Sequence, residues 1–174
     1  PYTFQDIVAG LNAVQPNDWA EFLNTRLKST APRAPLGGIT GGGWKLVYTN
    51  VRSDLWKTAE EERKFVDMSY SLGIKVKDDG TITDVHMGSP AQKAGVAPDD
   101  KLIAVNTRQF TATALREAVQ AAAKTPGPID LMVKDGEYYK TFRVDYRDGE
   151  KYPHLERDAA KLDLLAAIIQ ARSK

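Results

Sequence analysis

Apolar residues near the start of the chain recur every three or four positions. This spacing matches one face of an α-helix, so it predicts two short helices. Thr3 can cap the first helix, and Asn17 or Asp18 can cap the second. QPND, residues 15–18, separates the two runs and predicts a helical hairpin. The runs consist of Phe4, Ile7, Val8, Leu11 and Val14, and of Trp19, Phe22, Leu23 and Leu27.

The next stretch is rich in glycine and proline. STAPRAPLGGITGGG, residues 29–43, combines residues that break helices and strands, so it predicts a linker loop. WKLVYTNV, residues 44–51, is aromatic and β-branched, which favours a strand. Ser53 then precedes a charged run that predicts a helix ending near Lys64. EEERK, residues 60–64, is expected to form a solvated face of this helix.

From Phe65 the period of the apolar positions shortens to two, which favours strands. SLGIKVK (71–77) and TITDVH (81–86) are predicted to pair across a turn at Asp78–Gly80. IDLMVK (129–134) and YYKTFRVDY (138–146) are predicted to pair across a turn at Asp135–Gly136. Thr111 is predicted to cap a helix that ends near Lys124.

GSPAQKAG, residues 88–95, predicts a single helical turn between these elements. Ser89 can cap it, Pro90 suits the first helical position and Gly95 suits a left-handed end. KLIAVN (101–106) follows as a strand. The order of strand, strand, mini-helix, strand, long helix, strand and strand predicts an α+β fold. RDGEKYPHLERD (147–158) is expected to be a polar exit, and LDLLAAIIQA (162–171) a last amphipathic helix.

Composition excludes several classes of function. The 174 residues carry a net charge of +1, a balance that does not indicate a nucleic-acid partner. The chain has no cysteine, so disulfides, thiolate zinc sites and a cysteine nucleophile are excluded. No run approaches about 18 apolar residues, so no membrane span is predicted. The lack of cysteine is compatible with the cytoplasm or the periplasm.

Three motifs in the alternating region resemble those of PDZ domains, in particular the form found in bacterial periplasmic proteases. SPAQKAG (89–95) is similar to the Ser-Pro-Ala-x-x-Ala-Gly of these domains. LIAVN (102–106) stands at the place of their strand that ends in an Asn turn, and SLGI (71–74) at the place of their carboxylate-binding loop. The resemblance implies a PDZ-like, partly open β-barrel or sandwich with two helices, preceded by a helical hairpin and a strand.

Two turns depart from the usual PDZ pattern. Asp99 stands where Pro-Gly-Asp is usual, and Thr107 stands where Asn-Gly is usual. Both turns are expected to survive, because Asp and Asn tolerate the left-handed backbone better than most residues.

The PDZ resemblance also implies a groove for the C-terminus of a peptide. Consecutive backbone N–H groups at Leu72, Gly73 and Ile74 would converge on the carboxylate, and the strand Ile74–Val76 would offer an edge to which the peptide adds. Leu72 and Ile74 would line the pocket for the last side chain of the peptide. Leu115 and Val119 would form the apolar part of the helical wall, and Arg116 would contact an acidic ligand residue. The alternative is a loop that only packs or is occluded by the flanking segments. The candidate peptide-binding residues are Ser71, Leu72, Gly73, Ile74, Lys75, Val76, Leu115, Arg116 and Val119.

The flanks add a wider resemblance. PYTFQDIVAGLNAVQPNDWAEFLNTRL, GGWKLVYT and YPHLER look like the C-terminal part of the bacterial glycyl-aminopeptidase family, which are zinc metallopeptidases with a PDZ domain. The resemblance implies a helical extension over residues 1–66 with a linker at 29–43, a PDZ domain at 67–147, and a tail with a helix at 148–174. It also implies that the parent protein continues upstream of Pro1.

The zinc site of that family is a His-Glu-x-x-His helix with a further Glu. The chain has only His86 and His154, and neither has a second histidine four residues away. No catalytic or metal-binding residue is therefore assigned to this chain and no cofactor is expected in it, whereas zinc is expected in the parent protein.

Two hypotheses follow for the function. The first is a module that binds a peptide or protein C-terminus within a zinc aminopeptidase-like protein, whose catalytic zinc site lies outside this chain. The second is a non-binding structural or regulatory domain that packs against the missing catalytic domain. Hydrolysis of peptides by the 174 residues alone is not expected.

Overall fold

The computed structural model describes residues 1–31, 34–125 and 127–171. Contacts within the chain divide it into two units, residues 1–38 and 39–174. The helices are α1 (Phe4–Val14), α2 (Trp19–Lys28), α3 (Gly37–Gly41), α4 (Asp54–Arg63), α5 (Pro90–Ala94), α6 (Ala112–Lys124) and α7 (Leu164–Ile169). The strands are β1 (Trp44–Thr49), β2 (Phe65–Met68), β3 (Ile74–Lys77), β4 (Ile82–Val85), β5 (Lys101–Val105), β6 (Arg108–Gln109), β7 (Ile129–Asp135), β8 (Tyr138–Val144) and β9 (Tyr152–Arg157).

The first unit contains the two predicted N-terminal helices, which are confirmed. Thr3 and Asp6 form a capping box at the start of α1. Asp18 caps α2 by accepting a hydrogen bond from the N–H of Glu21 at 2.9 Å. Both helices lie within the described residues 1–31 and contribute no buried residue to that unit.

The described residues of the second unit form three antiparallel sheets. One has the order β2–β3–β4, and another has the order β6–β5–β7–β8. The third sheet pairs β1 with β9, from Trp44 opposite Arg157 to Thr49 opposite Tyr152. The strands before and after the alternating region therefore meet each other.

One apolar core joins the two larger sheets to α6. The amphipathic pattern predicted for this helix is confirmed, because its apolar face is buried while its other face stays exposed. Buried side chains of this size each stabilise the fold by roughly 1.5–3 kcal/mol. The core includes Val66, Met68, Leu72, Ile74, Val76, Ile82, Leu102, Val105, Leu115, Val119, Ile129, Leu131, Val133 and Val144.

The predicted mini-helix and both unusual turns are confirmed. The hydroxyl of Ser89 accepts from the N–H of Gln92 at 3.2 Å, and Gly95 ends α5 with a φ of 104°. Asp99 and Thr107 adopt left-handed backbones, with φ values of 69° and 67°.

Among the described residues, four elements differ from the sequence-based expectations, and one of them is the two-residue strand β6, which was not predicted. Part of the predicted linker loop, Gly37–Gly41, is the short helix α3, and Pro32 and Arg33 of that loop lie outside the described residues. The expected polar exit contains strand β9, because Tyr152–Arg157 find a partner in β1. Strand β2 was not predicted at all. The last helix is present as α7, and residues 172–174 of the tail lie outside the description.

None of the helices in the described residues is long and apolar enough to cross a membrane.

Candidate functional site

Strand β3 was expected to offer an open edge to a peptide. Both of its edges are instead paired within residues 34–125, one with β4 and the other with β2. β2 runs antiparallel to β3, with Met68 opposite Ile74 and Val66 opposite Val76. An extended segment of the same chain therefore takes the position in which a peptide would add to the sheet.

The loop after β2 closes its backbone around the last residue of that strand. The N–H groups of Ser71 and Gly73 both donate to the carbonyl oxygen of Met68, at 3.0 and 2.8 Å. The amides that bind a carboxylate were expected at Leu72, Gly73 and Ile74, but the two that converge on one oxygen atom are those of Ser71 and Gly73. In this structure that oxygen atom is a neutral carbonyl oxygen of the chain itself.

Gly73 lies where the loop approaches the mini-helix α5. Its φ is +82°, and a Cβ on it would lie 2.0 Å from the Cβ of Ser89. The N–H of Ala91 in α5 also donates to the carbonyl of Leu72 at 3.0 Å. The mini-helix therefore holds the loop in place, and only a glycine permits the close approach.

The apolar candidates are brought together in one core. Leu72, Ile74 and Val76 are fully buried there, together with Leu115 and Val119 of α6. Two side chains of β2, Val66 and Met68, belong to the same core. The apolar surface that was expected to receive the last ligand residue is thus covered from within the chain.

Lys75 is the partly exposed candidate on β3. Its Nζ lies 3.1 Å from Oδ2 of Asp67, the residue directly opposite on β2. The same Nζ lies 5.3 Å from the centroid of the Phe65 ring, a cation–π distance. Lys75 therefore contacts two alternate residues of β2 on the face of the sheet away from the core.

Arg116 was expected to face an acidic ligand residue, but it contacts carboxylates of the chain. Its guanidinium donates to Glu60 of α4 at 2.7 and 2.8 Å and to Glu150 at 2.8 Å. It also donates to the hydroxyl of Tyr152. Burial opposes the charge of the guanidinium, but Tyr152, Glu60 and Glu150 outweigh it, so the pKa of Arg116 is raised above its usual value.

The carboxylate of Glu60 connects this cluster to β2. Glu60 Oε1 accepts from the backbone N–H of Asp67 at 2.8 Å, and Oε2 accepts from Arg52 at 2.9 Å. The expectation of a solvated helix face is wrong at this position, because Glu60 is only 5% exposed. We call Arg52, Glu60, Arg116, Glu150 and Tyr152 the buried charge cluster.

The segment after β8, residues 145–151, packs against the loop. The N–H of Lys151 donates to the hydroxyl oxygen of Ser71 at 3.0 Å. The hydroxyl of Tyr146 donates to the carbonyl of Gly149 at 2.8 Å, and burial raises the pKa of Tyr146 to about 12. We call residues 145–151 the exit segment.

The histidines do not form a metal site with other residues of the described chain. His86 Nε2 lies 3.3 Å from Oδ2 of Asp84, and His154 Nε2 lies 2.6 Å from the carbonyl oxygen of Val51. Among the described residues, no group of three or more His, Asp or Glu side chains is arranged to hold a metal ion.

Comparison with protein families identifies the central part of the chain. Residues 64–134 match the family model of the PDZ domain. This range contains strand β2, the loop, the mini-helix and α6. The chain therefore contains a PDZ domain, which is a peptide-binding type of domain, within an α+β fold.

Solved structures extend the similarity beyond this domain. An aminopeptidase N family protein from Idiomarina loihiensis matches 87% of this chain at 15% sequence identity, with a TM-score of 0.51. The match covers 26% of that protein's chain, so this chain spans about a quarter of its length, and the similarity is one of fold. An HtrA3 PDZ domain, solved with a phage-derived ligand, matches 68% of this chain and 95% of its own at 18% identity, with a TM-score of 0.33. A comparison with curated proteins finds no match.

Proposed function

We propose that the chain is a peptide-recognition module of the PDZ type whose groove is occupied by its own strand β2. One observation carries this proposal: β2 lies antiparallel on β3 and places its last carbonyl oxygen on the N–H groups of Ser71 and Gly73. This is the geometry of strand addition, supplied by the chain in place of a separate peptide. An external ligand binds when β2 leaves.

The residues proposed to contact the ligand are those predicted from the sequence, with two changes of role, which concern the carboxylate-binding residues and Arg116. Ser71, Leu72 and Gly73 receive the carboxylate, and Ile74, Lys75 and Val76 pair with the peptide. Leu115 and Val119 provide apolar contact on the helical wall. Arg116 holds Glu60, which in turn accepts from the backbone of β2, so Arg116 is proposed to control access to the groove. It is assigned no contact with the ligand.

The tether of β2 sets the affinity expected for free peptides. A segment joined by a short linker competes at an effective concentration of about millimolar. A peptide that makes only the contacts of β2 therefore binds with an apparent Kd near millimolar, weaker than the micromolar value typical of an empty groove. A free C-terminal carboxylate gains charge-assisted bonds that are about twice as strong as those to the Met68 carbonyl. C-termini are thus the ligands that displace β2 best.

The proposal is tested by titrating the ¹⁵N-labelled chain with short apolar peptides and recording amide spectra. The free-acid form of a peptide is expected to shift the Ser71 and Gly73 signals and to bind about tenfold more tightly than the C-terminal amide. Amide signals of α1 and α2 provide an internal control, and they are expected to stay unchanged. Spectra that remain unchanged up to several millimolar peptide would refute the recognition function.

A structural role is the second candidate, and the buried charge cluster favours it. Glu60 and Glu150 come from segments on either side of the PDZ domain and meet on Arg116. In this alternative the domain serves to hold its flanking segments together, and β2 never leaves. The same titration separates the two functions.

The module is further proposed to belong to a zinc aminopeptidase-like protein whose catalytic site lies outside this chain. The support is the resemblance of the flanks to glycyl-aminopeptidases and the fold similarity to part of an aminopeptidase N family protein. Within that protein, the module would bind the C-termini of peptides or dock the catalytic domain. An assay of the isolated chain on glycyl-peptides with added zinc is expected to show no hydrolysis, and turnover would contradict this placement of the catalytic site.

A further inference from the structure

Strand β2 carries information about the ligand, because it is the segment that the groove holds in this structure. Its residues alternate between the two faces of the sheet. Val66 and Met68 are 1% and 0% exposed and lie in the core, whereas Phe65 and Asp67 lie on the opposite face. If a peptide replaces β2 in the same register, as the proposed function requires, it presents the same alternation.

Lys75 is the residue of the groove that contacts the second face of the bound strand. It stands directly opposite Asp67 in the register, and its Nζ is 3.1 Å from Asp67 Oδ2. The Asp67 side chain is 7% exposed and that of Lys75 is 35% exposed, so solvent screens this pair less than an open surface pair. The other carboxylate oxygen of Asp67 accepts from the N–H of Ser69 at 2.9 Å and helps to turn the chain into the loop.

Departure of β2 leaves the Lys75 ammonium without this carboxylate. A ligand that brings an acidic side chain to the same position restores the ion pair, whereas a basic side chain there is repelled. An aromatic residue two positions earlier restores the cation–π contact that Phe65 makes with Lys75.

We propose that Lys75 determines the specificity of the groove for an extended peptide with the pattern aromatic–aliphatic–acidic–aliphatic. This role of Lys75 rests on the proposed function. The acidic residue is the penultimate one and lies opposite Lys75, and the last residue takes the place of Met68. The partner is accordingly a protein whose C-terminus ends in this pattern.

The test compares two peptides on three forms of the full chain. The acidic peptide is acetyl-Lys-Phe-Val-Asp-Met with a free carboxylate, and the basic peptide has Lys in place of Asp. The variants are Lys75→Glu and the matched control Lys77→Glu, which changes an exposed lysine on the same strand by the same amount of charge. The measured quantity is the ratio of the two affinities within each protein, because Lys75→Glu also faces Asp67 and changes how firmly β2 is held.

The wild-type chain is expected to bind the acidic peptide about fivefold more tightly than the basic one, the upper range for a partly exposed ion pair. The ratio is expected to invert in Lys75→Glu and to persist in Lys77→Glu. A ratio that changes equally in both variants would overturn the role of Lys75. Equal binding of both peptides by the wild type would do the same. Either result would leave peptide recognition itself intact. If neither peptide shifts the amide signals of Ser71 or Gly73 in any of the three proteins, the proposed function is overturned, and the role of Lys75 with it.

Discussion

At the scale of single residues, the candidate site depends on the close approach of the Gly73 backbone to Ser89. Gly73 combines a left-handed conformation with contact to Ser89, and it sits between the loop N–H groups and the mini-helix. A side chain at this position meets two separate penalties, one from the backbone conformation and one from the collision. Gly88 has a similar φ of +73°, but nothing lies within 4 Å of the position that a Cβ would take there, so it meets only the first penalty.

We therefore expect Gly73→Ala to lower the free energy of unfolding by about 2–5 kcal/mol, the sum of left-handed strain and overpacking. Gly88→Ala is the matched control, and we expect it to lose about 1 kcal/mol. Urea unfolding followed by circular dichroism measures both. Equal losses in the two variants would show that the close approach to Ser89 does not hold the loop.

At the scale of elements, the exit segment contacts the loop and contains the buried, ionisable side chain of Tyr146. Tyr146 is 8% exposed, and its pKa is raised from 10.0 to about 12 by burial. The unfolded chain therefore loses this proton before the folded chain does. The stability linked to Tyr146 is fully present below pH 10 and is lost as the pH rises from about 10 to about 12.

The free energy of unfolding of the wild type is expected to fall between pH 9 and pH 12 more steeply than that of Tyr146→Phe, which cannot ionise. At pH 8 the variant is expected to be less stable by about 1 kcal/mol, because it lacks the hydrogen bond to Gly149. Tyr139→Phe, at a position that is 63% exposed, serves as the control and should keep the wild-type slope. Parallel pH curves for Tyr146→Phe and the wild type would contradict this account.

Elements with local signals were predictable from the sequence, and elements that depend on distant partners were not. Helix α6 was predicted from its cap at Thr111 and the spacing of its apolar residues. Helix α5 was predicted from its cap at Ser89 and from Gly95 at its end. β9 was missed because it contains Pro153 and polar residues and gains its structure only by pairing with β1. β2 was missed because it has only four residues and follows helix α4 almost directly, so it was not distinguished from the segments around it.

The same limit applies to the site. The candidate loop, strand and helical wall were predicted from three motifs and the cap at Thr111, and the structure places their apolar side chains in one core. What covers β3 could not be predicted, because edge pairing is decided by tertiary contacts rather than by propensity. Glu60 was misjudged for a related reason, since its partner Arg116 lies 56 residues away.

At the scale of the whole second unit, the buried charge cluster joins segments that are far apart in sequence. Glu60 precedes the PDZ strands, Arg116 lies on α6 and Glu150 follows the last strand. Each of these side chains is 12% exposed or less. Removal of one charge from such a cluster leaves buried charges unpaired, which is far more unfavourable than the loss of a surface pair.

Arg116→Met is accordingly expected to lower the free energy of unfolding by about 3–5 kcal/mol. Arg108→Met removes an exposed arginine of β6 that pairs with Glu117 of α6, and we expect a loss of about 1 kcal/mol or less. Chemical denaturation of both variants provides the comparison. Similar losses would mean that the cluster does not fix the flanking segments.

In the proposed function, β2 competes with external peptides for one groove. Val66→Ala weakens the packing of β2 without changing any residue proposed to bind the ligand, so it raises the fraction of molecules whose groove is free. Val51→Ala, at a position that is 61% exposed, is the control.

The most direct measurement is the affinity of a free-acid apolar peptide for these two variants and the wild type, at a temperature where all three remain folded. We predict that Val66→Ala binds about tenfold more tightly than the wild type, and that Val51→Ala binds like the wild type. Unchanged or weaker binding by Val66→Ala would contradict competition between β2 and the ligand.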